Sequence, residues 1–521
     1  MNTIKQLSFL FILATGLFLS ACSNSKLADD SLKNVPEDVT SVTAFNLNQM
    51  MQKADFDYVK GLDFFEAGIA EMEEKEPALA AIMSNPFSSG VDLSKNAYLI
   101  VDLDKNRPEE MQFGAMVFSI NDSGAFQKTI EEIGEQTTIE RTDYKMVSME
   151  GDGGQKRGLI FWNDNFGMLA GGNRNIDIEA YAASYFDKTR ETSIADNPDL
   201  AECLSNEYDI ATWVSSNAIS ENPQLKTAAS FMGISNSALK ENYFHSYFNF
   251  EKGAITGNTK HFLQKELTND LQLFFKNGVK KDLSKYIPAE NLGMAFSAAL
   301  DAKGIYQIIS EKTGGATTLN AGLKKYGFSG KDIANAFGGD LVVAVYNNPK
   351  SKFDPNGLLT ATIGDRKLFD QFLDLGVQFE VMVPEGENVY RLVDGPKELK
   401  DAYLYVSDDV FFISNAKSML ETIQSGGYAS ADRIPSDAYE ALTDNAFGGL
   451  MNFEFMEGLE KFFENLPFTN ARINAGLESS SMQMDLKNKE VNSLQAIFDM
   501  INKMYLKEKK EGKMEVEAEM I

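Results

Sequence analysis

One segment of strand, aspartate and helix occurs twice in this chain, and the duplication limits what it can fold into. Gly114-Ala-Met-Val-Phe-Ser-Ile-Asn-Asp122 aligns with Gly357-Leu-Leu-Thr-Ala-Thr-Ile-Gly-Asp365. Each aspartate precedes a helical pattern with a phenylalanine four residues on, Phe126 and Phe369. Each pattern reaches a glycine, Gly134 and Gly376. An aspartate ahead of such a run caps its free amides, and a glycine behind it stops the helix. Downstream, Leu159-Ile-Phe-Trp-Asn-Asp164 aligns with Tyr403-Leu-Tyr-Val-Ser-Asp408 at nearly the same offset, and upstream Gly90-Val-Asp-Leu93 aligns with Gly330-Lys-Asp-Ile333. A near-constant offset over several elements is the mark of a tandem repeat.

The strands fall in twos and threes, with helices between the clusters rather than after every strand. That order predicts an α+β fold built as two tandem repeats, each with an antiparallel sheet and packed helices. The first copy closes with strands at 210–214 and 247–250 and a helix over 262–275, whose apolar stripe is Leu263, Leu267, Leu271, Phe274 and Phe275. The second closes with strands at 450–455 and 481–486 and a stripe of Leu494, Ile497, Phe498, Ile501 and Met504. The expected division is repeat one over 34–286, repeat two over 287–506 and a charged, disordered tail over 507–521.

Ahead of the repeats, Lys5 is followed by an apolar run from Leu7 to Leu19, too short to span a bilayer but suited to a cleaved export signal. It ends in Leu19-Ser-Ala-Cys22, a small-residue site followed directly by cysteine, the bacterial lipobox pattern. Residues 1–21 then form a lipoprotein signal peptide. Cys22 is the lipidation site, taking a diacylglycerol on its thiol and a further acyl chain such as palmitate on its new amine. More than one long chain gives firm anchoring to the lipid bilayer. Residues 22–33 read as a flexible tether, and the expected location is the cell envelope, at the outer membrane.

A net charge of −27 removes nucleic acid from the partners, because phosphate backbones need a basic face. With Cys22 acylated, Cys203 has no partner for a disulfide, so the core must hold the fold. Two histidines, His245 and His261, supply neither a zinc site nor a His-dependent triad. Asp102-Leu-Asp104-Lys-Asn106 begins with calcium-loop spacing, but Arg107 replaces the required glycine and Phe113 the bidentate glutamate, leaving a hairpin turn. The glycine-rich 151–158 segment opens no helix and so makes no phosphate cradle. Ser237-Ala-Leu-Lys240 and Lys312-Thr-Gly314 match short motifs of penicillin-binding enzymes without the Ser-x-Asn that belongs between them. No catalytic residue, cofactor site or metal site follows from these patterns.

The lipobox, the Asn34-Val-Pro36-Glu-Asp segment, the Asn48-Gln-Met-Met-Gln-Lys-Ala54 segment and the duplicated strand–Asp–helix unit together resemble an uncharacterised family of large Bacteroidota envelope lipoproteins, a domain-of-unknown-function family. The resemblance implies envelope attachment and carries no catalytic residues. Three functions fit: a non-catalytic binding or scaffolding lipoprotein with an envelope protein partner; a carrier of an apolar ligand in a cavity between repeats; or a hydrolase working with two carboxylates. A large apolar cavity favours the second, and two convergent carboxylates in a cleft favour the third.

Overall fold

A computed structural model describes residues 32–510 apart from 34, 76–79, 81–83, 85, 105–106, 135–137, 151–155, 173–175, 187–191, 205–207, 312–314, 349–354, 394–401 and 458–465. The export signal, Cys22, the Lys312-Thr-Gly314 motif and most of the 151–158 segment lie outside the described residues. The chain is α+β and divides into two compact units. The first holds the described residues up to Leu225, Lys240–Phe262 and those from Asn488 on. The second holds Lys226–Leu239 and Leu263–Lys487, so the expected 286/287 boundary falls inside it.

The first unit is organised on strands β1 (Ser41–Phe45), β2 (Ala97–Asp104), β3 (Arg107–Ser119), β4 (Ile139–Glu140), β5 (Lys145–Glu150), β6 (Lys156–Trp162), β7 (Phe166–Gly172), β8 (Ile210–Ser215), β9 (Tyr243–Glu251) and β10 (Ala254–Phe262). All pairings are antiparallel, in the order β4-β5-β6-β7-β3-β2-β1-β8-β9-β10. Alternate residues point to opposite faces, and both faces are covered. Val42, Tyr98, Phe113 and Trp213 pack with Ala182, Leu200 and Cys203 from the helices Ile178–Ala183 and Pro198–Leu204. On the other face Met116, Phe118 and Trp162 pack with Leu47 of helix α1 (Leu47–Ala54) and with Phe126 and Ile130 of a helix at Ser123–Gly134. Helix α2 (Asp63–Lys75) lies between them in sequence, and the Ser123–Gly134 helix is α3.

The second unit has β11 (Leu292–Ala299), β12 (Phe337–Tyr346), β13 (Asn356–Ile363), β14 (Met382–Gly386), β15 (Val389–Leu392), β16 (Tyr403–Val406), β17 (Val410–Ser414), β18 (Phe447–Asn452), β19 (Phe468–Ala475) and β20 (Ser479–Leu486). Its order is β14-β15-β16-β17-β13-β12-β11-β18-β19-β20, again all antiparallel. Strand for strand this is the order of the first unit. The helices of this unit used below are α4 (Lys265–Phe274), α5 (Ala302–Glu311), α6 (Ala316–Lys324), α7 (Gly330–Ala336) and α8 (Arg366–Gln378).

Several local expectations change. Gly330 is not the counterpart of Gly90. Val91 bridges Ile120 and Phe337 stands opposite Ile363, so Gly90 matches Ala336, and Gly330 opens α7 instead. Gly376 does not stop α8, which continues to Gln378. It is small because a Cβ there would come 2.5 Å from Met382 Cε. The helix expected over 262–275 is shortened, because Ala254–Phe262 pairs with β9 as a strand. At the N-terminus Leu32, given to the tether, is fully buried beside Val35 and Val39. The expected disordered tail begins in helix: α9 (Ser493–Lys510) reaches Lys510.

Candidate functional site

The second unit carries a chamber of about 600 Å³, open to solvent on one side, between α5, α6 and α7 and one face of its sheet, inside the usual ~300–1,000 Å³ range of ligand pockets. Its helical wall begins at Asp301, whose Oδ1 accepts from the amides of Lys303 and Gly304 and starts α5. The 3.6-residue period then brings Ile305, Tyr306 and Ile309 to the chamber. Helix α7 is held by a reciprocal cap: Ser329 Oγ accepts from the Asp332 amide at 3.3 Å, and Ser329 N donates to Asp332 Oδ2 at 2.8 Å. It contributes Ile333 and Ala334. Gly330 lets α7 come close, since a Cβ there would sit 2.6 Å from both Leu319 and Tyr306 side chains.

The sheet wall is Phe337, Leu341, Leu359, Ala361, Phe411 and Ile413. At its edge Gly339 has φ +92°, and a Cβ there would meet Leu300 O at 2.0 Å, so only glycine serves. Among the described residues one charged group lines the chamber, Asp340, and it is already engaged. Lys276 Nζ lies 3.1 Å from its Oδ1, and Thr362 Oγ1 donates to its Oδ2 at 3.3 Å while accepting from its amide. The same Lys276 ammonium donates to Gly338 O. The wall therefore presents hydrocarbon and aromatic carbon, with no uncommitted charge from this triad.

The first unit shows why the second has a chamber. The β3–β13 alignment puts Phe118 where Ala361 stands, and the pairing puts Gly167 where Phe411 stands. Phe118 lies over Gly167, whose Cβ would be 2.4 Å from its ring, and packs against Phe126 at 5.6 Å. In the second unit Phe411 stacks on Phe369 at 5.0 Å, and both Phe411 and Ala361 line the chamber.

The residues singled out from sequence do not converge on the chamber. Asp102 is buried, accepts from Thr40 Oγ1 at 3.1 Å and from the Tyr181 hydroxyl, and Asp104 pairs with Arg107. Ser237 Oγ lies 2.8 Å from Ser235 Oγ on a turn. Cys203 is free and buried, its thiol pushed up to about 12 chiefly by desolvation, so it is no nucleophile at neutral pH. His245 is fully buried in β9, and His261 packs edge-on to Phe244 in β10. Among the described residues no cluster of three or more His, Cys, Asp or Glu side chains could hold a metal, and no helix is long and apolar enough to cross a membrane. Among the described residues the chamber presents one carboxylate rather than a pair, and it lies within the second unit.

Fold and site together define a two-unit α+β protein whose units share one antiparallel strand order and of which the second carries an apolar, ligand-sized chamber. The chain belongs to the DUF4836 family, described as a domain of unknown function, which it matches over residues 33–494. No curated protein matches it. Among solved structures it is similar to TP0453 in several crystal forms. Form I is 11% identical, with 46% of this chain and 80% of that chain covered and a TM-score of 0.27. Form III is 9% identical, with 47% and 86% covered and a TM-score of 0.25.

Proposed function

We propose that this is a non-catalytic lipoprotein of the cell envelope, anchored through acylated Cys22, that binds an apolar ligand in the chamber of its second unit. The observation that carries the binding role is the chamber itself, about 600 Å³ walled by aliphatic and aromatic side chains. A large, mostly apolar pocket is the ordinary form of a small-molecule site. The anchor rests on Leu19-Ser-Ala-Cys22 and the apolar run before it. The shared strand order of the units supports reading them as tandem copies, of which one kept a filled core and the other opened a site.

A fluorescent fatty acid should bind the mature protein and gain intensity on leaving water. Ala361→Phe, which restores the residue of the first unit, should reduce that binding at least tenfold. Ala334→Phe, from the opposite wall, should do the same. Binding that survives both substitutions removes the chamber from the account. Separately, Cys22→Ala should move the protein from the membrane fraction to the soluble fraction. If the variant still sediments with lipid, the anchor is not at Cys22.

A further inference from the structure

The chamber floor does not end at the chamber. Leu359 lies opposite Val343, Val343 opposite Phe296, Phe296 opposite Gly449, Gly449 opposite Ile473, and Ile473 opposite Met482. Directly paired residues share a face, so this is one apolar row running from the chamber across β12, β11, β18 and β19 to β20. The next row on that face, through Met294, Met451 and Met484, is apolar too. The Phe296 ring lies over Gly449, whose Cβ would be 3.4 Å from it. Yet the row is open: Phe296 is 46% and Ile473 48% exposed, with Phe447 on the adjoining row at 42%.

The first unit supplies an internal control. Its corresponding row starts with Met116 and Leu99 and then turns to hydroxyls at Thr43, Thr212, Ser246 and Thr259. These satisfy one another, Thr43 with Thr212 at 3.1 Å and Ser246 with Thr259 at 3.0 Å. One sheet order thus carries a hydroxyl face in one unit and a Phe, Gly, Ile and Met face in the other. Burying a sheet's core does not require that difference. An open apolar face of this kind marks contact with something apolar.

We infer that the second unit takes a diacyl lipid, with one acyl chain in the chamber and the other laid along the row from Val343 to Met482. This rests on the reading of the chamber as an apolar site. Continuity selects the occupant. The row shares Leu359 with the chamber floor and has no hydrogen-bonding side chain along its length, so a peptide laid on it would leave backbone amides unpaired at a cost. Hydrocarbon has nothing to leave unpaired. The polar end of the lipid stays outside, because Asp340, Lys276 and Thr362 already satisfy one another. From Val343 to Met482 the row spans four gaps of ~4.8 Å, about 19 Å, longer than the ~15 Å of one leaflet's hydrocarbon.

The test uses the full mature chain carrying Cys22→Ala, so that the only lipid present is the one added. The probes are a fluorescent single-chain fatty acid and a fluorescent diacyl phosphatidylcholine offered in phosphatidylcholine vesicles. The comparison is with the same chain bearing Phe296→Thr, Ile473→Ser and Met482→Thr, the hydroxyl character of the first unit; circular dichroism and the melting temperature verify its fold. The expected result is that the triple variant holds the fatty acid within twofold but takes up the diacyl lipid at least tenfold less well. Equal uptake of diacyl lipid by both chains overturns the inference while leaving the chamber reading intact. So does a lipid-free protein that sediments as a dimer and becomes a monomer in the triple variant, which makes the face a contact between copies. Loss of fatty-acid binding in the unsubstituted chain removes the chamber reading and this inference together.

Discussion

His245 is fully buried in the first unit, its ring 4.2 Å from that of Phe262, and among the described residues neither ring nitrogen has a hydrogen-bond partner. Desolvation is the largest influence on it and lowers its pKa; Glu202 and Asp199 of the neighbouring helix oppose the shift, and Lys260 of β10 adds to it. A depressed histidine stays neutral in the fold while the unfolded chain takes up its proton near pH 6.5. Its contribution is therefore fully present above that pH and declines as pH falls from about 6.5 toward the lower folded value, by at most ~1.4 kcal/mol per pH unit for one proton. Melting temperatures measured between pH 7.5 and 5 should fall with acid, and His245→Phe should flatten that part of the curve. An unchanged slope would assign the acid sensitivity to carboxylates instead. None of this was legible in the sequence, where His245 beside Phe244 announces neither its burial nor its lack of partners.

At the scale of elements, the strand–Asp–helix units were legible because their signals are local. Asp122 Oδ1 accepts from Ala125 N at 2.9 Å and Asp365 Oδ1 from Leu368 N at 3.1 Å, each satisfying an amide that the helix itself cannot. Asp365→Ala should lower the denaturant midpoint of the second unit by the equivalent of ~1 kcal/mol with an unchanged slope, while Asp365→Asn should recover most of it. A loss confined to the slope would mean the cap matters to the unfolded chain. Failures arose where geometry is set from a distance. Gly376 was read as a helix stop, but it is small to admit Met382. Gly90 and Gly330 look equivalent by letters, yet the bridges Val91–Ile120 and Phe337–Ile363 separate them. The Ala361-for-Phe118 exchange stood in plain view in the aligned segments. Its meaning needed the pairing that sets Phe411 or Gly167 beside it, and the apolar row exists only once six strands are in register.

At the scale of the molecule, each unit is completed by a helix from the far end of a sheet segment it does not own. Helix α4, which follows β10, belongs to the second unit, where Asp301 N donates to Phe274 O at 2.8 Å and Gly304 has no room for a Cβ against Leu273 O. Helix α9, which follows β20, belongs to the first. There Leu494 is buried with Ala54 and Val59, Phe498 stacks on Phe64, and Asn502 accepts from Phe64 N at 3.0 Å. Removing the residues from Asn488 on should therefore strip the first unit of its cover while leaving every chamber residue of the second in place. Leu494, buried, at ~1.5–3 kcal/mol for a fully buried side chain, with the partly buried Phe498 adding less, predicts a loss of a few kcal/mol localised to one unit. Calorimetry of the truncated chain should show one transition moved to lower temperature and the other, identified by its upward shift with fatty acid, nearly unmoved. A truncation that abolishes fatty-acid binding, or that lowers both transitions equally, would mean the two units fold as one cooperative body and the chamber depends on the whole of it.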